Sequence, residues 1–294
     1  MSTKAGTIVA GVDGSESSRH ALAWAVEQAV SESRALTLVH TLHPVMPAYL
    51  ASAAAPPDAM AQLRADGQGI LDAAKAKVQA IAPELELHEV MEYADPREVL
   101  LRLSEGAAML VLGSRGRGQL RSLLLGSVGV ALVRHAHCPV VIHRPGNVGT
   151  VRNGIIVGAD SSEESRPVLE FAYREASLRK LPLTVLYCYW DIQAGTTGAF
   201  PDANAAARQE AERVAVAESV AGLAEKYPDV SASIQQAKGR PQDVLVRLGD
   251  RMNLVVVGAH QAGRAAQMVF GSVSVAVVEH ANCPVAVVPV STPR

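Results

Sequence analysis

The chain has 294 residues, and 27 Lys and Arg against 29 Asp and Glu leave a formal charge of −2. That length is long for one ordinary domain and comfortable for two, and the near balance of charge excludes a general electrostatic attraction to nucleic acid or to an anionic membrane. No apolar run approaches the roughly 20 residues that span a bilayer. The opening MSTKAGTIVAGVDGSESS lacks the basic start, apolar stretch and small-residue cleavage site of a secretory signal. Cys138, Cys188 and Cys283 are odd in number and show no CxxC spacing, which suits buried thiols in a reducing compartment. The expectation is a cytoplasmic protein with no nucleic-acid partner and no membrane partner.

In chain order, the first strand is expected at Thr7 to Val12. A helix follows in RHALAWAVEQAV, where Leu22, Ala25, Val26, Ala29 and Val30 fall at helical spacing, polar residues hold much of the other face, and Ser15 or Ser17 can cap the start. Further strands are read at Leu36 to His40, Leu85 to Val90, Ala108 to Leu112 and Pro139 to Ile142. Between them lie helices at Met60 to Ala80 and Pro96 to Ser104, and a third begins at SVGVALVRHA. The runs are short, β-branched and continuously apolar, as in strands buried on both faces of a parallel sheet. The alternation predicts doubly wound α/β architecture, with ligands at the carboxyl ends of the strands.

This order is then repeated. TIVAGVDGSESSRHALAWAVEQA matches GIIVGADSSEESRPVLEFAYREA with Asp13 opposite Asp160, an offset of 147, and GSVGVALVRHAHCPVVI matches GSVSVAVVEHANCPVAV with Cys138 opposite Cys283, an offset of 145. Two homologous halves follow, expected as domains 1–146 and 153–294, joined near the linker-like HRPGNVGTVRN.

Two motifs carry the chemistry. Gly113, Gly116, Gly126 and Ser127 frame GSRGRGQLRSLLLGS, which starts where a strand should end and stops where a helix should begin. Glycines let backbone amides approach an anion, and a helix start supplies unpaired N–H groups with the positive end of its dipole. Ser114 and Ser127 offer hydroxyls; Arg115, Arg117 and Arg121 offer charge. A glycine-rich turn with a capping serine is an equal alternative. The second motif is Asp13, which can hold a ribose hydroxyl or a metal on phosphates, or can act as an Asx cap for the helix behind it. There is no GxxxxGK[ST] and no GxGxxG in the first turn. His135, His137 and Cys138 cluster, but His137 becomes Asn282 in the second half, so a structural role is preferred to a metal. Trp24 and Trp190 are read as packing residues.

The opening V[A/V]GxDxS turn, the GxxGx9G[S/T] frame and the closing HAxCPVx[I/V] strand together resemble the universal stress protein family, over nearly the whole chain. The resemblance implies a five-stranded parallel sheet in each of the two tandem doubly wound domains, each sheet flanked by helices. It also implies ATP at the glycine frame, with Mg²⁺ on its phosphates. Ribose and phosphate contacts would map to Gly11, Asp13, Gly113, Gly116, Gly118, Gly126, Ser127 and Val128, and adenine contacts to the backbone near Val39 and His40. In the second half Gly158, Asp160, Gly258, Gly263, Gly271, Ser272 and Val273 keep the frame. Gln261 replaces the second glycine, and Arg264 alone stands for the arginines.

The leading functional reading is a nucleotide-dependent regulatory protein of stress response, in which ATP binds both halves, the first more tightly. A slow ATPase or phosphotransferase competes with it, although the motifs show no general base and no P-loop lysine, so no catalytic residue is assigned. A nucleotide-free scaffold is the third reading. The short proline-bounded strands PVVIHRP and PVAVVPV read as edges that pair the two halves, and a homodimer is expected in addition. The connections Pro44 to Asp58 and Asp191 to Asn204 read either as lids or as disordered segments.

Overall fold

Ile8, Val9 and Ala10 are each no more than 1% exposed, the burial of a strand covered on both faces. The computed structural model describes residues 5–42, 58–116, 125–144, 153–160, 162–189, 205–260 and 271–290, and the chain divides into two units, Met1–Arg144 and Pro145–Arg294. The first unit runs β1 (Ile8–Gly11), α1 (Glu16–Ser31), β2 (Leu36–Thr41), α2 (Ala59–Ile81), β3 (Leu87–Glu92), α3 (Pro96–Ser104), β4 (Met109–Gly113), α4 (Ser127–His135), β5 (Val140–His143). Its sheet order is β3-β2-β1-β4-β5, with every pair parallel.

The second unit repeats the scheme with β6 (Ile155–Gly158), a 3₁₀ turn (Glu163–Ser165), α5 (Arg166–Arg179), β7 (Leu183–Tyr189), α6 (Ala205–Lys226), β8 (Ala232–Lys238), α7 (Pro241–Gly249), β9 (Leu254–His260), α8 (Gly271–His280) and β10 (Val285–Val290). Its order is β8-β7-β6-β9-β10, again all parallel. Each sheet is therefore wound both ways from its first strand. The winding reverses between β1 and β4, and between β6 and β9, so those strand ends are where a crevice can open.

Helix α1 follows its sequence pattern with two corrections. Leu22, Ala25, Val26 and Ala29 are buried, but Val30 is 53% exposed, while Gln28 on the polar side is buried. Val30 lies in the last turn of the helix. The Gln28 side chain donates from Nε2 to Glu32 Oε1 at 2.7 Å. Burial of Leu22 and Val26 contributes about 2 kcal/mol each, which outweighs the desolvation of one amide that keeps a hydrogen bond. The third strand also begins later than its apolar run. Leu85 N–H is taken by the Ala82 carbonyl in the turn that closes α2, so the ladder starts at Leu87, opposite Leu36.

Candidate functional site

The crevice of the first unit is built by two turns. After β1, Val12 N–H bonds the Val39 carbonyl at 2.9 Å, and Asp13 Oδ1 then accepts Ser15 N–H at 3.0 Å. Gly14 between them has φ +78°, a left-handed step that suits a residue without Cβ. Ser15 caps α1 by accepting Ser18 N–H at 3.1 Å. One Asp13 oxygen thus shapes the turn, as an Asx cap would, and the carboxylate stands at the carboxyl edge of a central strand.

The second turn leaves β4. A Cβ on Gly113 would lie 2.6 Å from the carbonyl carbon of Ser17, so this glycine is required by the backbone of α1 crossing the strand end. Gly116 faces the carboxylate: its Cβ would sit 2.8 Å from Asp13 Oδ2. The turns are tied together, since Ser15 Oγ donates to the Arg115 carbonyl and Arg115 N–H to Ser17 Oγ, each at 3.4 Å. Gly126 N–H returns to the Ser114 carbonyl at 3.2 Å, which brings the two ends of the glycine frame to one place. There α4 begins with Gly126 at its cap and no side-chain cap bond. Among the described residues nothing lies within 4 Å of a Cβ built on Gly126, and Ser127 beside it is exposed. The first N–H groups of a helix lack intrahelical partners, so this start presents donors and the positive dipole end to an anion. The two turns bring a carboxylate and the start of a helix to the same end of the sheet, at the switch point where ligands bind in such folds.

Gly11, Asp13, Gly113, Ser114, Arg115, Gly116, Gly126, Ser127 and Val128 all lie on these two turns or at the ends that bound them, whereas Arg117 and Gly118 lie outside the described residues. Val39 and His40 fall inside β2, which continues to Thr41. Their environment is committed: His40 is buried and its Nδ1 donates to the Val12 carbonyl at 2.7 Å. The serines Ser15 and Ser17, which join the turns, carry a role that the sequence reading gave only to a cap. Their spacing in GSESS was the available signal.

In the second unit Gly158 ends β6 and Asp160 follows, but its carboxylate is held differently. Asp160 Oδ1 accepts from Ser162 N–H at 3.0 Å, from Ser162 Oγ, and from Ser165 Oγ at 2.6 Å. Among the described residues Gly258 is approached by side chains, Val168 Cγ2 at 3.1 Å and Val290 Cγ2 at 3.2 Å from a built Cβ. Gly271, Ser272 and Val273 open α8. Gln261, Gly263 and Arg264 lie outside the described residues, as do Trp190 and all of the two predicted lids except Asp58.

The remaining candidates have packing partners. His137 N–H donates to Ser104 Oγ at 3.0 Å, and at the matching place Asn282 Nδ2 donates to Asp250 Oδ1 at 2.9 Å. Each ties the lead-in of the last strand to the end of α3 or α7, the helix before the fourth strand of its unit. Trp24 is buried. Cys138 and Cys283 are buried and Cys188 is half-buried. Burial pushes the Cys138 thiol up to about 12 and the Cys188 thiol to about 11. Both stay protonated at neutral pH and are poor nucleophiles.

A parallel sheet wound both ways from its first strand, with its crevice at the switch point, defines a doubly wound α/β protein, here built twice. The universal stress protein family pattern matches residues 4–144 and again residues 152–289. The chain is 32% identical over 288 residues to universal stress protein Rv2623 of Mycobacterium tuberculosis, covering 95% of each. It is 34% identical over 293 residues to universal stress protein Mb2028c of Mycobacterium bovis, covering 95% of this chain and 96% of that one. A crystal structure of a universal stress protein from Archaeoglobus fulgidus superposes with a TM-score of 0.70 at 19% identity, covering 97% and 96% of the two chains. The chain belongs to the universal stress protein family, with two family domains in tandem. No helix among the described residues is long and apolar enough to cross a membrane.

Proposed function

We propose that the protein is an ATP-binding regulator of stress response, with its principal nucleotide site at the β1 and β4 turns of the first unit. The observation that carries this is the uncapped start of α4, open at Gly126, set beside a turn joined to Asp13. The α4 amides and Ser127 would hold phosphate oxygens, and Asp13 would take a ribose hydroxyl or a Mg²⁺ on the phosphates. Bound Mg²⁺ would supply charge neutralisation of the phosphates. Gly116 would leave room beside the Asp13 carboxylate for the nucleotide, and the adenine would lie past the carboxyl end of β2, near Val39 and His40. The second unit would bind more weakly, because Asp160 is already held by the two hydroxyls of Ser162 and Ser165. Nucleotide would act by favouring one conformational state over another, in a homodimeric protein of the cytoplasm, a compartment that suits its three free thiols.

Denaturing the purified protein and chromatographing the released nucleotide tests occupancy. Calorimetric titration with MgATP tests the ranking. ATP should be released, and titration should resolve a tighter site that Asp13→Asn weakens about tenfold, equivalent to about 1.4 kcal/mol. No released nucleotide together with no binding heat would sink the nucleotide reading, and two equal sites would sink the ranking. Light scattering of the purified chain tests the dimer, which a monomer mass would exclude.

A further inference from the structure

β3 is the outer strand of the first unit and β8 that of the second, and their registers make them equivalent. Leu87 lies opposite Leu36 and Ala232 opposite Leu183, which is Leu36 moved by the repeat offset of 147. Stepping along both strands sets Glu89 against Ile234 and Glu92 against Ala237. In the first unit Glu89 pairs with Lys75 of α2 at 2.9 Å and Glu92 with Arg102 of α3 at 2.6 Å. Charged side chains of this kind guard an edge strand against pairing with another strand. In β8 both acids are gone. Ala232 to Ala237 reads ASIQQA, without a charge; all of it but Ala237 is exposed, and Ile234 is 38% exposed.

The backbone and the charges of β8 say what kind of strand fits beside it. Leu183 N–H bonds the Ser231 carbonyl at 2.9 Å and Gly239 N–H bonds the Tyr189 carbonyl at 3.1 Å. Alternate residues of a parallel strand bond the same neighbour, so Ser231, Ser233, Gln235 and Ala237 turn their backbone groups to β7. The N–H and carbonyl groups of Ala232 and Ile234 therefore turn to the outer side. Charge returns only at the two ends of the segment, with the exposed Asp229 in the turn before β8 and the exposed Lys238 as its last residue. A strand of the same sequence laid antiparallel about Ile234 brings the Lys238 of each copy to the Asp229 end of the other, and opposite charges across strands stabilise the pairing. A parallel copy would set like charges together.

We infer that β8 pairs with the β8 of a second copy of this chain, antiparallel and about a two-fold axis at Ile234. The Ile234 residues of the two copies exchange both backbone hydrogen bonds across the axis, and their side chains meet on one face. A symmetric contact of this kind buries the same patch twice and closes on itself. The inference rests on the homodimer proposed above and names the surface that forms it.

Sedimentation of the full chain over a concentration series tests it by giving the dimer Kd. Ile234→Glu, which imports the acid of β3, should raise that Kd at least about tenfold by setting two carboxylates face to face, and Lys238→Glu should raise it several-fold. Circular dichroism melting should show both variants folded as the wild type is. A second variant reads the contact directly. Residues that exchange both bonds in an antiparallel pair have Cα atoms about 5.5 Å apart, inside the roughly 4.4–6.8 Å that a disulfide spans, so Ile234→Cys under mild oxidation should yield a cross-linked dimer well beyond what the wild-type thiols give. A monomer at every concentration would overturn the homodimer and this surface together. A dimer unchanged by Ile234→Glu, or no cross-link gained by Ile234→Cys, would overturn the surface and leave the homodimer standing.

Discussion

The turns after β1 and β6 begin from nearly the same residues, VDGSESS and ADSSEES, yet they build different walls. In the first, Ser15 caps a helix that is α from Glu16 onward, and Arg19 N–H closes on the Ser15 carbonyl at 3.1 Å. In the second, Pro167 stands in the first turn of α5 and has no N–H to offer the Glu163 carbonyl. The entry tightens into a 3₁₀ turn, with Ser165 N–H on the Ser162 carbonyl at 3.1 Å. Ser165 then reaches the aspartate directly. The turn bond itself is the same in both, Ser15 N–H to Asp13 and Ser162 N–H to Asp160 at 3.0 Å; the proline entry of α5 goes with the Ser165 hydroxyl on the second carboxylate.

The largest test of this difference is at the strand-end glycines. Gly113→Ala would drive a Cβ into the Ser17 backbone, whereas Gly258→Ala meets two valine methyls that can give way. The first should cost about 3 kcal/mol and the second about 1 kcal/mol, read as hydrogen-exchange protection of β4 and β9; equal losses would show that the helix crosses both strands alike. Next comes the carboxylate pair. Asp13→Asn should weaken MgATP about tenfold and Asp160→Asn should leave the tighter site unchanged, measured by titration calorimetry.

A third comparison concerns caps. Asp95 caps α3 by accepting Arg97 N–H at 2.8 Å, while Arg240 holds the same place before α7 with nearly the same backbone angles and no side-chain cap bond. Asp95→Ala should cost about 1 kcal/mol and Arg240→Asp should gain up to about 1 kcal/mol, seen as opposite shifts in denaturant midpoint. The smallest effect at neutral pH is at the thiols. Because burial raises Cys138 to about 12 and Cys188 to about 11, their neutral forms stabilise the fold fully below the ordinary thiol range. That contribution is lost as pH climbs from about 9 toward those values. Iodoacetamide should leave the folded protein unlabelled at pH 7 and label Cys188 before Cys138 on alkaline titration. Rapid neutral labelling of Cys138 would contradict its burial.

Much of this was legible in the sequence because it is local or periodic. Continuous β-branched runs can only be strands covered on both sides, so β1, β2, β4 and β5 fell within a residue or two of expectation. The helix read at Pro96 to Ser104 is α3 as observed. The repeat itself established two tandem α/β domains, because two copies of one strand and helix order must bury the same faces. The candidate site was legible as a list of residues but not as reasons.

Tertiary structure alone decided those reasons. Gly113 is glycine because a helix backbone crosses it, a contact between Ser17 and a strand end 96 residues away in sequence (113 − 17). Val30, a regular member of the apolar pattern of α1, is 53% exposed, while Gln28 and Ala29 in the same last turn are buried. Spacing along a helix says which residues share a face, but where the neighbouring layer stops is set by chain crossings that no local pattern encodes.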